Sequence, residues 1–305
     1  MVTTCDTSAS VEPPEFATLR VQAPAKINLR LRIVGRRPDG YHLLDSYVAP
    51  VSIFDRLDIR LRRAHAQAVS LVCDHPLVPV STDNLAVRAA LLFLERTSVT
   101  AAVSITLEKE IPIGAGLGGG SSDAASMLVA LDQLLGTRIP RARLAEWAVE
   151  LGADVPFFVH GLPARVSGIG DVVDIDGSPP RWPLVVVFPG VALRTAEVYA
   201  AYDRSLTNAV PATTIYSLAQ SRLPLQELLA NDLEAAAMQI LPVVQSLKER
   251  LRDLGAVGAL MTGSGSAVFG VWEQRAEALA AAQQMNRDGI WARAVEILDG
   301  TPGRV

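Results

Sequence analysis

The segment IPIGAGLGGGSSDAA, at residues 111–125, constrains the fold more than any other part of the chain. It follows a strand-like run from Ala102 to Glu108 and leads into a helical pattern that continues to Leu135. Glycines at such a junction expose backbone N–H groups at the positive end of a helix, and without Cβ atoms they let an anion approach closely. Ser121 is the predicted N-cap, with Asp123 in the first turn. The pattern predicts a phosphate-binding loop.

Two well-known glycine motifs do not account for this segment. Gly114, Gly116 and Gly119 satisfy GxGxxG, but no acidic residue ends a strand about twenty residues later, as dinucleotide-binding folds require. A Walker loop is excluded because Gly119 is followed by Gly120 and Ser121 where Gly-Lys-Ser/Thr would stand. A flexible or helix-capping run of glycines is the remaining alternative, but linkers do not usually begin an amphipathic helix.

Strands and helices alternate along the chain without a regular βαβ repeat, which favours an α+β fold. Alternating hydrophobicity predicts antiparallel strands between residues 17 and 67. Helices are predicted over residues 84–96, 121–135, 141–151, 195–204, 232–254 and 274–287. A chain of 305 residues exceeds the usual size of one core. We predict a disordered tail (1–16), an N-terminal domain (17–165) and a C-terminal domain (166–305).

Charge and hydropathy exclude several functional classes. The net charge of -4 argues against a general nucleic-acid binder, which needs a basic face. The most apolar run, residues 182–193, is too short to span a bilayer, and the first residues lack a signal-peptide pattern, so a cytoplasmic protein is expected.

Of the 28 basic residues only Lys26, Lys109 and Lys248 are lysine. Lys248 has charged neighbours typical of a solvated helix face, whereas Lys26 and Lys109 lie beside motifs.

Four segments together resemble one family of kinases. The glycine loop resembles the phosphate loop of the galactokinase, homoserine kinase, mevalonate kinase and phosphomevalonate kinase (GHMP) superfamily, and its triple glycine resembles the diphosphocytidyl-methylerythritol kinase branch. APAKINLRLRIVGRRPDGYHLLDS (23–46) is similar to the first motif of that branch, and MTGSGSAVFG (261–270) to the third motif of the superfamily. GADVPFF (152–158) resembles the segment that holds the catalytic aspartate. The matches keep the family's order from about residue 20 to 270.

The resemblance implies both a fold and an activity. The implied fold has an N-terminal ribosomal protein S5 domain 2-like ATP-binding domain and a C-terminal ferredoxin-like substrate domain. The implied activity is transfer of a phosphoryl group from ATP, with Mg²⁺, to the 2-hydroxyl of 4-diphosphocytidyl-2-C-methyl-D-erythritol. The alternatives are a homoserine or mevalonate type of kinase and a non-catalytic binding homologue. The partner is then a small molecule, without nucleic acid or membrane, and the oligomeric state stays open.

Two residues carry the predicted catalysis. By resemblance Asp154 is the base that accepts the hydroxyl proton, and its structural alternative is an N-cap before Pro156. Lys26 would lie near Asp154 and favour the charged forms. Its alternative is a surface lysine, because it is in phase with the polar residues Asn28 and Arg30.

The resemblance also assigns two sets of binding residues. The nucleotide set is Asn84, Lys109, Pro112, Gly114, Gly116, Leu117, Gly118, Gly119, Gly120, Ser121, Ser122, Gly263, Ser264 and Gly265. The substrate set is Asn28, Tyr41, His42, Thr195 and Tyr199. Ser122 is the candidate ligand of Mg²⁺, and the other metal ligands stay open.

Several of these assignments have structural alternatives. Asn84 could instead mark a helix N-terminus, and His42 could cap a turn. Tyr41 and Tyr199 could stack on both faces of a pyrimidine, although Tyr199 could equally be core packing.

Overall fold

The computed structural model describes residues 13–175, 182–205 and 228–299. The predicted tail therefore lies outside the described residues up to residue 12, and the first strand begins at Phe16. The strands are β1 (Phe16–Arg36), β2 (His42–Arg63), β3 (Ala68–Cys73), β4 (Ala101–Glu108), β5 (Ala164–Gly168), β6 (Val172–Ile175), β7 (Leu184–Phe188), β8 (Ala230–Asn231), β9 (Gly258–Met261), β10 (Val268–Val271) and β11 (Trp291–Val295). The helices are α1 (Leu85–Thr97), α2 (Gly119–Leu135), α3 (Arg141–Ala148), α4 (Val155–His160), α5 (Thr195–Ser205), α6 (Glu234–Ile240), α7 (Val243–Asp253) and α8 (Arg275–Arg287).

A seven-stranded mixed sheet forms the first half of the protein. Its order is β3-β4-β2-β1-β8, and β5 joins β2 and β6. The alternating residues Leu57, Ile59 and Leu61 of β2 face a core shared with α1 and α2. β5 spans the predicted domain boundary after residue 165, and both β5 and β6 extend this first sheet. We therefore propose a boundary beyond Ile175.

A four-stranded antiparallel sheet, in the order β11-β7-β10-β9, forms the second half. One face packs on α5, α6, α7 and α8 through residues such as Val185, Met261 and Val268. The other face packs on the middle of β1 and β2 and on the glycine loop. Because the second sheet packs directly on β1, on β2 and on the glycine loop, both halves contribute to one site. Mixed helix and sheet in this arrangement confirms the α+β prediction.

The predicted helix over residues 232–254 is two helices. α6 ends at Ile240, Leu241 has φ -135° and ψ 85°, and Pro242 precedes α7. Proline has no backbone N–H and disfavours helical geometry in the residue before it, so the chain breaks there.

Lys248 is buried, which contradicts its predicted place on a solvated face. Its Nζ donates to Glu234 Oε2 at 2.5 Å, and Glu234 Oε1 accepts from Met261 N at 2.8 Å. The pair joins α7 to α6 and β9, which is a structural role. Within the described ranges, no helix is both long and apolar enough to cross a bilayer.

Candidate active site

The glycine loop turns directly into α2, and the first glycine of its Gly-Gly-Gly run caps the helix. Gly118 is the N-cap residue, with φ 74° and ψ 17°, so the predicted N-cap at Ser121 is wrong. Ser122 N donates to Gly118 O at 2.9 Å as the first helical bond. The N–H groups of Gly119, Gly120 and Ser121 lie ahead of that bond, and all three residues line a cavity. This helix end can therefore hold an anion.

The cavity measures about 1070 Å³ and is lined by residues of both halves. Its wall includes every predicted site residue except Ser122 and Gly265. These lining residues are Lys26, Asn28, Tyr41, His42, Asn84, Lys109, Pro112, Gly114, Gly116, Leu117, Gly118, Gly119, Gly120, Ser121, Asp154, Thr195, Tyr199, Gly263 and Ser264.

Ser122 and Gly265 are not among the described residues that line the cavity. Ser122 is fully buried, and its Oγ has no hydrogen-bond partner among the described residues. A Cβ at Gly265 would lie 2.6 Å from Met261 Sδ, so this glycine packs into the second core. Contacts of these two residues with a nucleotide or a metal ion stay predictions.

Lys26 is buried between the glycine loop and the third motif. Its Nζ donates to Asn28 Oδ1 at 2.5 Å, and a Cβ at Gly263 would lie 3.1 Å from Nζ. Burial lowers the pKa of Lys26, and the charge of Asp154 opposes that shift only in part. The alternative of a surface lysine is wrong, because both faces of β1 are covered here.

The exposed side chain of Asp154 also lines the cavity. Asp154 holds the N-cap position of α4, but its side chain makes no capping hydrogen bond with any described residue. Its charge acts on Lys26 and on Tyr199, whose pKa is raised mainly by burial and further by Asp154. The carboxylate is therefore free to face a ligand and lies within electrostatic reach of both groups.

Behind the glycine loop, Lys109 joins two buried carboxylates. Its Nζ contacts Asp55 Oδ2 and donates to Asp123 Oδ2 at 2.8 Å. Asp55 Oδ1 accepts from Glu110 N at 2.8 Å and from Ile111 N at 2.9 Å. Burial lowers the pKa of Lys109, but the two carboxylates outweigh it and the net shift is upward. Burial also raises the pKa of Asp123. This cluster ties the entry of the loop to Asp123 of α2, which lies beyond the first turn of the helix, so the predicted first-turn place of Asp123 is wrong.

The TGSGS segment forms the turn between β9 and β10 and packs on the glycine loop. Gly116 has φ 79°, and a Cβ there would lie 2.5 Å from Thr262 O. Ala267 N donates to Ala115 O at 3.0 Å. The close approach of the two backbones requires glycine at this position, since any side chain would collide.

His42, rather than Tyr41, stacks on Tyr199. The ring centroids of His42 and Tyr199 are 4.8 Å apart with an interplanar angle of 28°. His42 Nε2 lies 2.7 Å from Asp203 Oδ1, and Tyr41 is 61% exposed. Tyr199 packs against the second core, which confirms the structural alternative, and it also lines the cavity. A pyrimidine stacked between the two tyrosines stays a prediction.

Two further polar residues of the wall are fixed by local bonds. Asn84 is the N-cap of α1, where Oδ1 accepts from Ala86 N at 2.9 Å, so the helix-terminus alternative is confirmed for a residue that also lines the cavity. Thr195 begins α5, and its Oγ1 lies 3.0 Å from Ser264 Oγ. The bond links α5 to the TGSGS turn.

Sequence reasoning did not select Asp55, Asp123 or Asp203 for the site. Asp55 carries a readable signal, because it lies in phase with Leu57 on the buried face of β2, where a carboxylate needs a partner. Asp203 carries no comparable signal, since 161 positions separate it from His42.

Comparisons with known proteins agree along most of the chain. Residues 84–162 match the GHMP kinases N terminal domain, and residues 215–290 match the GHMP kinases C terminal model. A 4-diphosphocytidyl-2-C-methyl-D-erythritol kinase of Syntrophotalea carbinolica is 42% identical over 90% of this chain and 97% of its own. The Geobacter sulfurreducens protein of that name is 39% identical over 92% and 99%.

Solved structures give the same result. A crystal structure of 4-(cytidine 5'-diphospho)-2C-methyl-D-erythritol kinase superposes with a TM-score of 0.75 and 39% identity, and covers 92% of this chain and 99% of that one. A homoserine kinase from Cytophaga hutchinsonii has a TM-score of 0.72 at 19% identity, with 94% and 97% covered, which shows a shared fold alone. With relatives at this identity over nine-tenths of its length, the chain belongs to the 4-diphosphocytidyl-2-C-methyl-D-erythritol kinase family of the GHMP kinases.

Proposed function

We propose that this protein transfers the γ-phosphoryl group of ATP to the 2-hydroxyl of 4-diphosphocytidyl-2-C-methyl-D-erythritol. One observation carries the proposal. A single wall brings together the N-terminus of α2, the Lys26 and Asp154 pair, and the stacked rings of His42 and Tyr199. These are the parts that phosphate binding, hydroxyl activation and base recognition require.

Asp154 is the proposed base. Its carboxylate accepts the proton of the substrate hydroxyl, and the hydroxyl oxygen forms a bond to the γ-phosphorus. The bond from that phosphorus to the β–γ bridging oxygen breaks, and ADP leaves. The ammonium of Lys26 stays protonated, and its positive charge favours the ionised carboxylate and the oxygen that loses its proton.

The loop supplies the proposed phosphate contacts. Backbone N–H groups of Gly119, Gly120 and Ser121 point from the start of α2, where the helix dipole favours negative charge. Lys109 lies between the nearby carboxylates Asp55 and Asp123 and offsets one of their two negative charges.

Mg²⁺ is proposed to arrive with ATP. This ion is usually held by one or two carboxylates together with phosphate oxygens and water. Asp123 lines the cavity, and its Oδ1 is buried without a hydrogen-bond partner among the described residues; Ser121 lies on the same turn. No cluster of three or more His, Cys, Asp or Glu within the described ranges could hold a metal alone. The residues therefore fit an ion carried by the nucleotide, which supplies positive charge for the phosphoryl oxygens.

The experiment is a coupled assay of ADP release with the cytidyl substrate, homoserine and mevalonate. The aromatic pair predicts the highest kcat/KM for the cytidyl substrate, because neither small alcohol has a base to stack. A preference for homoserine or mevalonate would contradict the cytidyl assignment. No turnover of any alcohol would favour a non-catalytic homologue. The cytoplasmic location and the absence of nucleic-acid partners stay predictions from composition.

A further inference from the structure

A chain of buried hydrogen bonds holds the ammonium of Lys26 in place through the amide of Asn28. Lys26 Nζ donates to Asn28 Oδ1 at 2.5 Å, and Asn28 Nδ2 donates to Ser46 Oγ at 2.9 Å. Ser46 Oγ in turn donates to Arg30 O at 2.6 Å. Lys26, Asn28 and Ser46 are each more than nine-tenths buried.

The hydroxyl of Ser46 decides which way the Asn28 amide points. Its single proton is used on Arg30 O, so toward Asn28 it can only accept. The group that faces Ser46 must therefore be the NH₂ of Asn28, which leaves the carbonyl oxygen for Lys26. A reversed amide would set two acceptors against each other at Ser46 and two donors against each other at Lys26.

Thr262 holds the same asparagine from the second half of the protein. Its Oγ1 accepts from Asn28 N at 2.9 Å and lies 3.4 Å from Asn28 Oδ1, toward which it donates. The buried Thr262 hydroxyl thus accepts from the backbone N–H of Asn28 and donates toward its side-chain oxygen. Because Thr262 follows β9, this contact fixes β1 against the second sheet at the Lys26 site.

We propose that Ser46 and Thr262 are positioning residues, which orient the Asn28 amide so that its oxygen faces Lys26. This inference rests on the proposed function for its effect on turnover. Neither side chain is among the described residues that line the cavity, so neither is placed to touch the substrate. Both act on the reaction only through Asn28 and Lys26.

The kinetic test compares Ser46→Ala, Thr262→Val and Thr262→Ser with wild type. Loss of one buried hydrogen bond is expected to lower kcat about 3- to 10-fold in the first two variants, with the KM for ATP within about twofold. Thr262→Ser keeps the hydroxyl and should restore most of kcat. Thr97→Val is the matched control, because it removes a hydroxyl bonded to Phe93 O at the far end of α1.

A second arm tests whether the effect passes through Asn28. In an Asn28→Ala background, Ser46→Ala and Thr262→Val should cause no further loss of kcat, since residues that act through one partner are not additive. Full, additive losses would overturn the inference. Thr262→Val keeps this arm decisive if Ser46→Ala does not fold.

A third arm observes Lys26 without turnover. The chain has three lysines, so lysine-labelled protein gives three side-chain NMR signals, and Lys26→Arg assigns the relevant one. Asp154 is the charged group that acts on Lys26, and it is unchanged in these variants. Ser46→Ala should lower the measured pKa of Lys26, because an Asn28 oxygen that is no longer firmly oriented stabilises the charged form of Lys26 less.

The arms separate this inference from the proposed function. If kcat and the pKa of Lys26 are those of wild type in both Ser46→Ala and Thr262→Val, the positioning role is wrong and the kinase assignment is untouched. If wild type does not phosphorylate the cytidyl substrate but Ser46→Ala still lowers the pKa of Lys26, the proposed function fails and the positioning of Lys26 stands.

Discussion

At the scale of single residues, the charge of Asp154 acts on the Lys26 ammonium but does not outweigh the effect of burial on the pKa of Lys26. Lys26 is buried and held by Asn28, whereas Asp154 is exposed to the cavity. A buried cation gains from a nearby carboxylate, and an exposed carboxylate can exchange a proton with a ligand. The different burial of the two groups therefore matches their different proposed roles.

The Asp154→Asn variant tests the base. An amide keeps the shape of the carboxylate but cannot accept the proton, so turnover should fall by about 10²-fold or more while ATP affinity changes by only a few-fold. Steady-state kinetics and calorimetry measure the two quantities. Glu150→Gln is an exposed-carboxylate control outside the cavity wall and should behave like wild type. Turnover near the wild-type rate in Asp154→Asn would contradict the assignment.

The pH dependence of kcat tests Lys26. Its pKa is lowered from the ordinary value of 10.5, chiefly by burial. The protonated form is the proposed active form, so activity should be lost as pH rises through this lowered pKa, below pH 10.5. The measurement is kcat as a function of pH up to 10.5, with circular dichroism to show that the chain stays folded. A kcat that is constant up to pH 10.5 would contradict the role of Lys26.

At the scale of elements, the buried cluster of Asp55, Lys109 and Asp123 joins β2, the loop entry and α2. Asp55 accepts hydrogen bonds from the backbone N–H groups of residues 110 and 111 and also contacts Lys109, which contacts Asp123 of α2. These ion pairs fix the N-terminal part of α2, where the proposed phosphate contacts lie. Lys109 also lines the cavity, and a contact between Lys109 and a nucleotide stays a prediction.

Removal of Lys109 should destabilise the fold. Lys109→Met leaves two buried carboxylates facing each other, and breaking a buried pair in this way costs about 3–5 kcal/mol. Urea unfolding of both proteins measures the change in the free energy of unfolding, provided that their m-values agree. The double variant Lys109→Met with Asp123→Asn should recover part of the loss, because one uncompensated charge is gone. A loss below about 1 kcal/mol in Lys109→Met would show that the cluster is not structural.

At the scale of the whole molecule, the cavity exists because the second sheet packs on the middle of β1 and β2. His42 comes from the first sheet and Tyr199 from α5, and their stacked rings meet across the two halves. The proposed base recognition therefore depends on the packing of both halves, whereas the glycine loop lies within the first.

Tyr199→Ala tests this division. Loss of one aromatic platform is worth roughly 1–3 kcal/mol, so the KM for the cytidyl substrate should rise about 5- to 150-fold. The KM for ATP should stay near wild type. Tyr199→Phe is the matched control, since it keeps the ring and removes only the hydroxyl. If Tyr199→Ala leaves the KM for the cytidyl substrate unchanged, the ring does not bind the base.

The sequence by itself predicted the glycine loop before a helix and the α+β class, because these depend on local patterns, and its family resemblance named half of the described residues that line the cavity. Glycines before an amphipathic helix specify an anion site through the backbone alone, and Gly118 with its φ of 74° shows the conformation that such glycines supply. The helix break at Pro242 depends equally on a local signal, but the helical pattern on both sides of this proline predicted one continuous helix.

Only the tertiary structure decided which polar residues are partners. Strand periodicity did not show that Lys26 is buried, since β1 is covered on both faces where the second sheet packs on it. The pairing of His42 with Asp203 and of Asn28 with Thr262 joins residues 161 and 234 positions apart. Contacts at such separation follow from how the two sheets pack, and local spacing along the chain carries no record of that packing.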